Sequence, residues 1–189
     1  MNTNLRCLSA VVATSLWIVT SGCTYASDRE PETYLIPDDF VGQFYLVFSI
    51  PGGQEQEYEG DSRVYRIPES GFLLMQSDPN GGWIEGDRIR FFYVTEDGER
   101  TEIDGRWSGT IRDTPENRAD DELRILGGGR GEFQILDTCH LRYQTYYVGS
   151  ISQALDEQGI FDLFSEQGIY GVDEALLKGA CAVRTKNPG

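Results

Sequence analysis

The chain has 189 residues, with 16 lysines and arginines against 31 aspartates and glutamates, for a formal net charge of −15. Phosphate backbones and anionic headgroups repel such a surface, which excludes nucleic acid as a partner and argues against the folded domain docking directly on a bilayer. With one histidine and Cys139 and Cys181 expected to be bonded to each other, the usual zinc ligand set is lacking, and neither a metal nor a cofactor is expected.

Arg6 is the only charge before Asp28, and Cys7 to Thr20 is a run of 14 apolar or small residues. A membrane-spanning helix needs about 20 such residues, whereas ~7–15 suffice for the core of an export signal. The run ends in Ser21-Gly22-Cys23, small residues that let a peptidase reach the backbone beside a cysteine. This segment resembles a bacterial lipobox, with Thr20 where an aliphatic residue is usual. Residues 1–22 are therefore expected to be a signal peptide and Cys23 the lipid attachment site, with the mature protein held on the membrane by acyl chains alone. The competing reading is a soluble secreted protein cut after Ala26. Thr24 stands where lipoproteins kept at an inner membrane carry aspartate, so the outer membrane is expected in a cell that has one.

Removing the first 22 of 189 residues leaves 167, the size of one domain with its own core. Residues 23–33 are polar and aperiodic and are expected to be a linker. From residue 34 to 148 the pattern is β. Phe44, Leu46, Phe48 and Ile50 alternate with Tyr45, Val47 and Ser49 until Pro51-Gly52-Gly53. Strands follow at Val64–Ile67 and Phe72–Gln76, the second stopped by Asp78-Pro79-Asn80-Gly81-Gly82. Ile89, Phe91 and Tyr93 alternate with Arg88, Arg90 and Phe92, and the Asp97-Gly98 turn returns the chain through Arg100–Ile103. Trp107–Ile111 and Leu123–Leu126 flank a charged loop, Asp113–Glu122. Gly127–Gly131 is expected to join Leu126 to Phe133 as a hairpin. In the last strand Cys139, Leu141, Tyr143, Thr145 and Tyr147 share one face, while His140, Arg142, Gln144, Tyr146 and Val148 share the other. Short strands and polar turns at regular spacing predict a mainly β, antiparallel, sandwich-like fold.

Residues 149–189 are expected to add short helices packed on the same domain. Ser150 and Gln153 have capping-box spacing for a helix that Gly159 would end. Ile160–Gln167 and Glu174–Lys178 are two more helices. Glu157-Gln158-Gly159-Ile160-Phe161 recurs nine residues later as Glu166-Gln167-Gly168-Ile169-Tyr170, read as two similar helix stops. With Cys7 removed and Cys23 acylated, Cys139 and Cys181 remain as an even pair in an oxidising compartment and are expected to form a disulfide. It would close a 42-residue loop and contribute roughly 4 kcal/mol in the chain-entropy account.

The run Tyr34-Leu35-Ile36-Pro37-Asp38-Asp39-Phe40-Val41-Gly42, then Pro51-Gly52-Gly53, then Val64-Tyr65-Arg66-Ile67-Pro68-Glu69-Ser70-Gly71, resembles a family of uncharacterised bacterial lipoproteins whose exported domain has no assigned activity. The same stretch is similar, more distantly, to the transthyretin-like and carboxypeptidase-regulatory sandwiches. Neither resemblance implies a catalytic residue, and the helical tail departs from the sandwiches.

Catalytic motifs are weak. His140 beside Cys139 cannot serve it as a base, because neighbours in a strand point to opposite faces. Gly105-Arg106-Trp107-Ser108-Gly109 has Arg106 where a nucleophile elbow needs glycine two places before the serine, and Gly127–Gly131 lacks the Lys-Ser or Lys-Thr of a phosphate loop. The Asp78–Gly82 loop has Trp83 where a helix-loop-helix calcium site needs glycine. Tyr143, Tyr146 and Tyr147, with Trp83 and Trp107, are candidates for an aromatic surface facing a peptide or glycan of the envelope. The expectation is thus a lipid-anchored, non-enzymatic binding or structural module, with an envelope protein, peptide or glycan as partner. The alternative class is a hydrolase or glycan-modifying enzyme built on paired carboxylates.

Overall fold

The computed structural model describes residues 29–81, 86–107, 110–136 and 139–156. Among these, the strands are β1 (Glu32–Pro37), β2 (Gly42–Val47), β3 (Glu57–Glu59), β4 (Ser62–Arg66), β5 (Phe72–Leu74), β6 (Ile89–Val94), β7 (Arg100–Glu102), β8 (Arg106–Trp107), β9 (Arg124–Leu136) and β10 (Cys139–Gly149). Two short helices, α1 (Pro115–Arg118) and α2 (Ile151–Asp156), complete the order. The strands form two five-stranded sheets, β3-β4-β1-β6-β7 and β5-β2-β10-β9-β8. The fold is mainly β, as the alternation predicts, and its longest ladder, β9 with β10, is antiparallel, as is β10 with β2. Turn chemistry did not announce that β1, in the middle of the first sheet, runs parallel to both β4 and β6. Parallel neighbours need a crossover between them. Here the chain leaves for the second sheet through β2 before it returns to pair at β4.

The inner faces meet in one core: Tyr34 and Ile36 of β1, Tyr65 of β4 and Phe91 of β6 against Phe44 and Leu46 of β2 and Tyr146 and Val148 of β10. Tyr34 stacks on Phe91 at 4.7 Å and meets Tyr146 edge-on at 5.3 Å, contacts worth about 0.5–1.5 kcal/mol each beyond area burial. On the far face of the second sheet, Tyr45, Val47, Ile50, Phe133 and Leu141 form a second cluster. Ile50 was expected beside Phe44, Leu46 and Phe48. Ser49 takes φ 60°, which breaks the two-residue period and turns Ile50 to the opposite side.

The first polar residues are structural. The expected linker ends early, for Arg29 and Glu32 are 6% and 1% exposed and β1 begins at Glu32, ahead of the Tyr34 boundary. Arg29 Nε donates to Glu32 Oε1 at 3.0 Å and its Nη2 to Oε2. Tyr34 Oη donates to Glu32 Oε2 at 2.8 Å and Asn80 Nδ2 to Oε1 at 3.0 Å. Gln144 Nε2 then donates to the hydroxyls of Tyr34 and Tyr146, both at 2.7 Å, so one hydrogen-bonded chain crosses from the first sheet to the second. Burial pulls the Arg29 guanidinium down, and the bond and charge of Glu32 more than reverse this.

Gly127–Gly131 is not a hairpin turn. These residues lie inside β9, where Gly131 pairs with Tyr143 and Gly129 with Thr145. A Cβ on Gly131 would lie 2.8 Å from the Tyr143 ring, so the glycines make room for aromatic side chains reaching across from β10. The expected strand over Trp107–Ile111 is shorter, ending at Trp107 among the described residues. The charged loop contains α1, whose N-cap Thr114 accepts from the Asn117 amide, with proline in the first turn. The capping box at α2 is present, Ser150 N donating to Gln153 Oε1 at 2.8 Å and Gln153 N to Ser150 Oγ at 3.1 Å. The helices expected at Ile160–Gln167 and Glu174–Lys178, the signal segment, Cys23 and Cys181 lie outside the described residues.

Glu32→Gln leaves the Arg29 cation buried without its counter-charge, and is expected to cost about 3–5 kcal/mol in urea unfolding. An Arg29→Met, Glu32→Leu double variant should recover part of this, and only part, because Tyr34 and Asn80 lose their acceptor. Burial, reinforced by the Glu32 charge, holds the Tyr34 hydroxyl well above the ordinary phenol value of 10.0, and burial raises Tyr65 in the same direction. The unfolded chain therefore releases these protons first, so their contribution is complete below about pH 10 and falls as pH rises beyond it. The urea midpoint should drop from pH 10 to 11, and less steeply in Tyr65→Phe.

Candidate functional site

Cross-strand partners share a face, so Leu35 of β1 looks the same way as Arg66 of β4 and Phe92 of β6, and Val94 the same way as Arg100 of β7. This outer face of the first sheet is concave. Arg100 donates to Glu59 at 2.8 and 2.6 Å, although β7 and β3 are opposite edges. In a flat sheet four strand spacings would hold those edges ~19 Å apart, beyond the reach of the two side chains. The sheet curls instead, and the ion pair spans the resulting trough. Val64 and Leu35, both outward-facing, are 0% and 3% exposed beneath it. Arg66 bonds Glu57 at 2.9 Å, and Arg90 bonds Glu102 at 2.8 and 2.9 Å while lying 4.7 Å over the Phe92 ring. The arginine bonds hold Glu59 and Glu102 below the usual carboxylate range.

At the carboxyl ends of β1, β4 and β6 the trough opens into a cleft of about 530 Å³. Leu35, Ile67 and Val94 give it an apolar floor, and Asp38, Arg66, Glu69, Thr95 and Glu96 its polar rim. The strand ends are tied together beneath it: Asp38 N donates to Val94 O at 3.1 Å and Ile67 N to Leu35 O at 2.8 Å. Pro37 and Pro68, also in the lining, have no N–H to offer. Beside the cleft Tyr93 Oη donates to Phe40 O at 2.8 Å. Burial and the charges of Asp39 and Asp38 raise this hydroxyl above its ordinary value, so the acidic potential is felt beyond the rim itself.

Glu32 is the only carboxylate buried among the described residues, and its oxygens are taken up by Arg29, Tyr34 and Asn80. The carboxylates of the cleft, Asp38, Glu69 and Glu96, are exposed. The arrangement can hold a ligand by charge and apolar contact; it does not present two desolvated carboxyls to a glycosidic bond. The Asp78 side chain of the loop considered for calcium accepts at Oδ1 from Ser49 at 2.6 Å and from Arg142 at 2.8 Å.

The three tyrosine candidates do not form one surface. Tyr146 is 4% exposed in the inter-sheet core, a correction that follows from its alternation with Tyr143 and Tyr147. Tyr143 lies on the far face of the second sheet with Tyr45 and Phe133, each at 6.1 Å. Tyr147 shares that face but packs with Leu126 and Ile151 under α2. Trp107 falls in β8 and Trp83 outside the described residues. Cys139 opens β10, followed by an exposed His140, and no disulfide occurs among the described residues. No single segment shows the cleft, because its lining is drawn from three separate stretches, 35–38, 66–69 and 94–96. Asp38, Glu69 and Glu96 each follow a strand that runs parallel to the others, and only the pairing brings them together.

No curated protein matches the sequence. A crystal structure described as "Putative Lipoprotein from Bacillus anthracis" is similar at 14% identity, covering 86% of this chain and 99% of that one with a TM-score of 0.48. A family model, "Family of unknown function (DUF6843)", matches residues 28–158, and the chain belongs to that family.

Proposed function

We propose that this protein is a lipid-anchored binding module of the cell envelope, acylated at Cys23 and holding its ligand in the cleft at the carboxyl ends of β1, β4 and β6. The observation that carries the binding assignment is the cleft itself: an apolar floor edged by exposed carboxylates at the end of three tied strands. Open concave sites with a few convergent polar groups are the usual form of a ligand pocket. The anchor rests on the Ser21-Gly22-Cys23 motif and the short apolar run before it. The −15 charge fits the same reading, because a domain repelled by anionic headgroups needs acyl chains to stay at a membrane.

Arg29, where the chain is locked into the fold, lies six residue steps from Cys23, so the tether reaches at most ~20 Å. The six residues of β1 then carry the chain ~20 Å further to the cleft. The strand thus leads from the anchored end of the domain to the binding end.

Cells expressing the natural chain and Cys23→Ala, fed a radiolabelled fatty acid and fractionated, test the anchor. The natural form should incorporate label and partition into detergent, with the mature chain starting at Cys23, and the variant should do neither. A natural chain that begins at Ser27 and stays in water rejects the assignment.

A further inference from the structure

The cleft has a chemical preference that can be read from its lining. Its side-chain charges are Asp38, Glu69 and Glu96 against Arg66 alone, and Arg66 is bonded to Glu57 at 2.9 Å. Its backbone leans the same way. The Asp38 and Ile67 amides are spent on Val94 O and Leu35 O, and Pro37 and Pro68 have no amide to meet an anion. The lining therefore carries a surplus of negative charge and few free donors, which disfavours phosphate, carboxylate and sulfate groups. The floor of Leu35, Ile67 and Val94 is apolar, so a bare inorganic cation would use only the rim.

A lysine side chain fits both parts. Its methylene stem covers apolar surface while its ammonium stays at a polar edge, as a floor of aliphatic residues below a ring of carboxylates requires. The cleft volume of about 530 Å³ falls within the ordinary range for ligand sites and leaves room for the peptide around the lysine. We propose that the cleft binds a peptide segment through a lysine side chain, with the stem on Leu35, Ile67 and Val94 and the ammonium among Asp38, Glu69 and Glu96. This rests on the cleft being the binding site and is independent of acylation at Cys23.

The test must separate this site from general attraction to an acidic protein. The natural mature chain is titrated by calorimetry, in phosphatidylcholine vesicles if it partitions into them and in buffer if not. The probes are a capped Ala-Lys-Ala-Lys-Ala peptide and its Nε-acetylated counterpart. Asp38→Asn, Glu69→Gln and Glu96→Gln together neutralise the rim. Asp61→Asn, Asp87→Asn and Glu116→Gln together remove the same charge elsewhere, the first two at the amino ends of β4 and β6. All six positions are exposed, so both variants should fold, which thermal unfolding checks.

The expected result is saturable binding of the lysine peptide only, weakened about tenfold by the rim variant and less than about twofold by the control. Arg66→Gln should tighten it, by removing the one like charge and releasing Glu57. Equal weakening by both triple variants would reduce the effect to net charge and overturn the proposal. So would equal binding of the acetylated peptide, no saturable binding, or calcium ions alone saturating the rim in place of the peptide. A chain that fails to partition into vesicles but binds the peptide in buffer loses the anchor and keeps this site.

Discussion

The Arg29–Glu32 ion pair is the constraint on which the rest of the fold turns. Two opposite charges are removed from water at the amino end of the central strand, and the cost of that burial is offset only because every oxygen of Glu32 has a partner. The same carboxylate organises three separate pieces of chain. It fixes where the amino-terminal segment stops being a tether, it draws Asn80 in from the loop after β5, and through Tyr34 and Gln144 it connects β1 to β10. A well-packed apolar core tolerates small slides of one sheet over the other. A chain of directed hydrogen bonds across the interface does not, since a shift of one residue would turn Glu32 to the outer face.

With β1 fixed in register, the cleft follows. Because β4, β1 and β6 all run the same way, their last residues and the loops that leave them collect at one end. The acidic composition of the chain then decides what those loops carry. Arginines on the outer face of the sheet are engaged by glutamates of neighbouring strands or, for Arg100, of the opposite edge, which leaves the surplus of negative charge to the loops, where Asp38, Glu69 and Glu96 stand.

The sequence made the strands legible and their partners illegible. Phe44 to Phe48, Ile89 to Val94 and Leu141 to Val148 show their two-residue period openly, and Ser150 with Gln153 announces its cap, because these signals are local. The parallel pairing of β1 is set by contacts across 31 and 57 positions, and nothing in Glu32–Pro37 marks it as central except that Tyr34, Leu35 and Ile36 are all apolar. Polarity misled at two points. Arg29 and Glu32 look like linker residues until their mutual neutralisation is seen, and Gly127–Gly131 looks like a turn until the tyrosines that fill its missing side chains are placed opposite. Asp38, Glu69 and Glu96 were in view as turn residues, but a cleft is a property of pairing and curvature, neither of which is written in any one segment.

The Arg100–Glu59 bridge has a further bearing on how such a domain lives. Proteins confined to a surface meet one another far more often than proteins free in solution, and an open sheet border with unused amides invites a neighbour to add its own strand. By drawing β3 and β7 toward each other, the bridge turns both borders of the first sheet inward and dresses them in paired charge. Crowding on a membrane then brings these molecules together without offering them a border to zip.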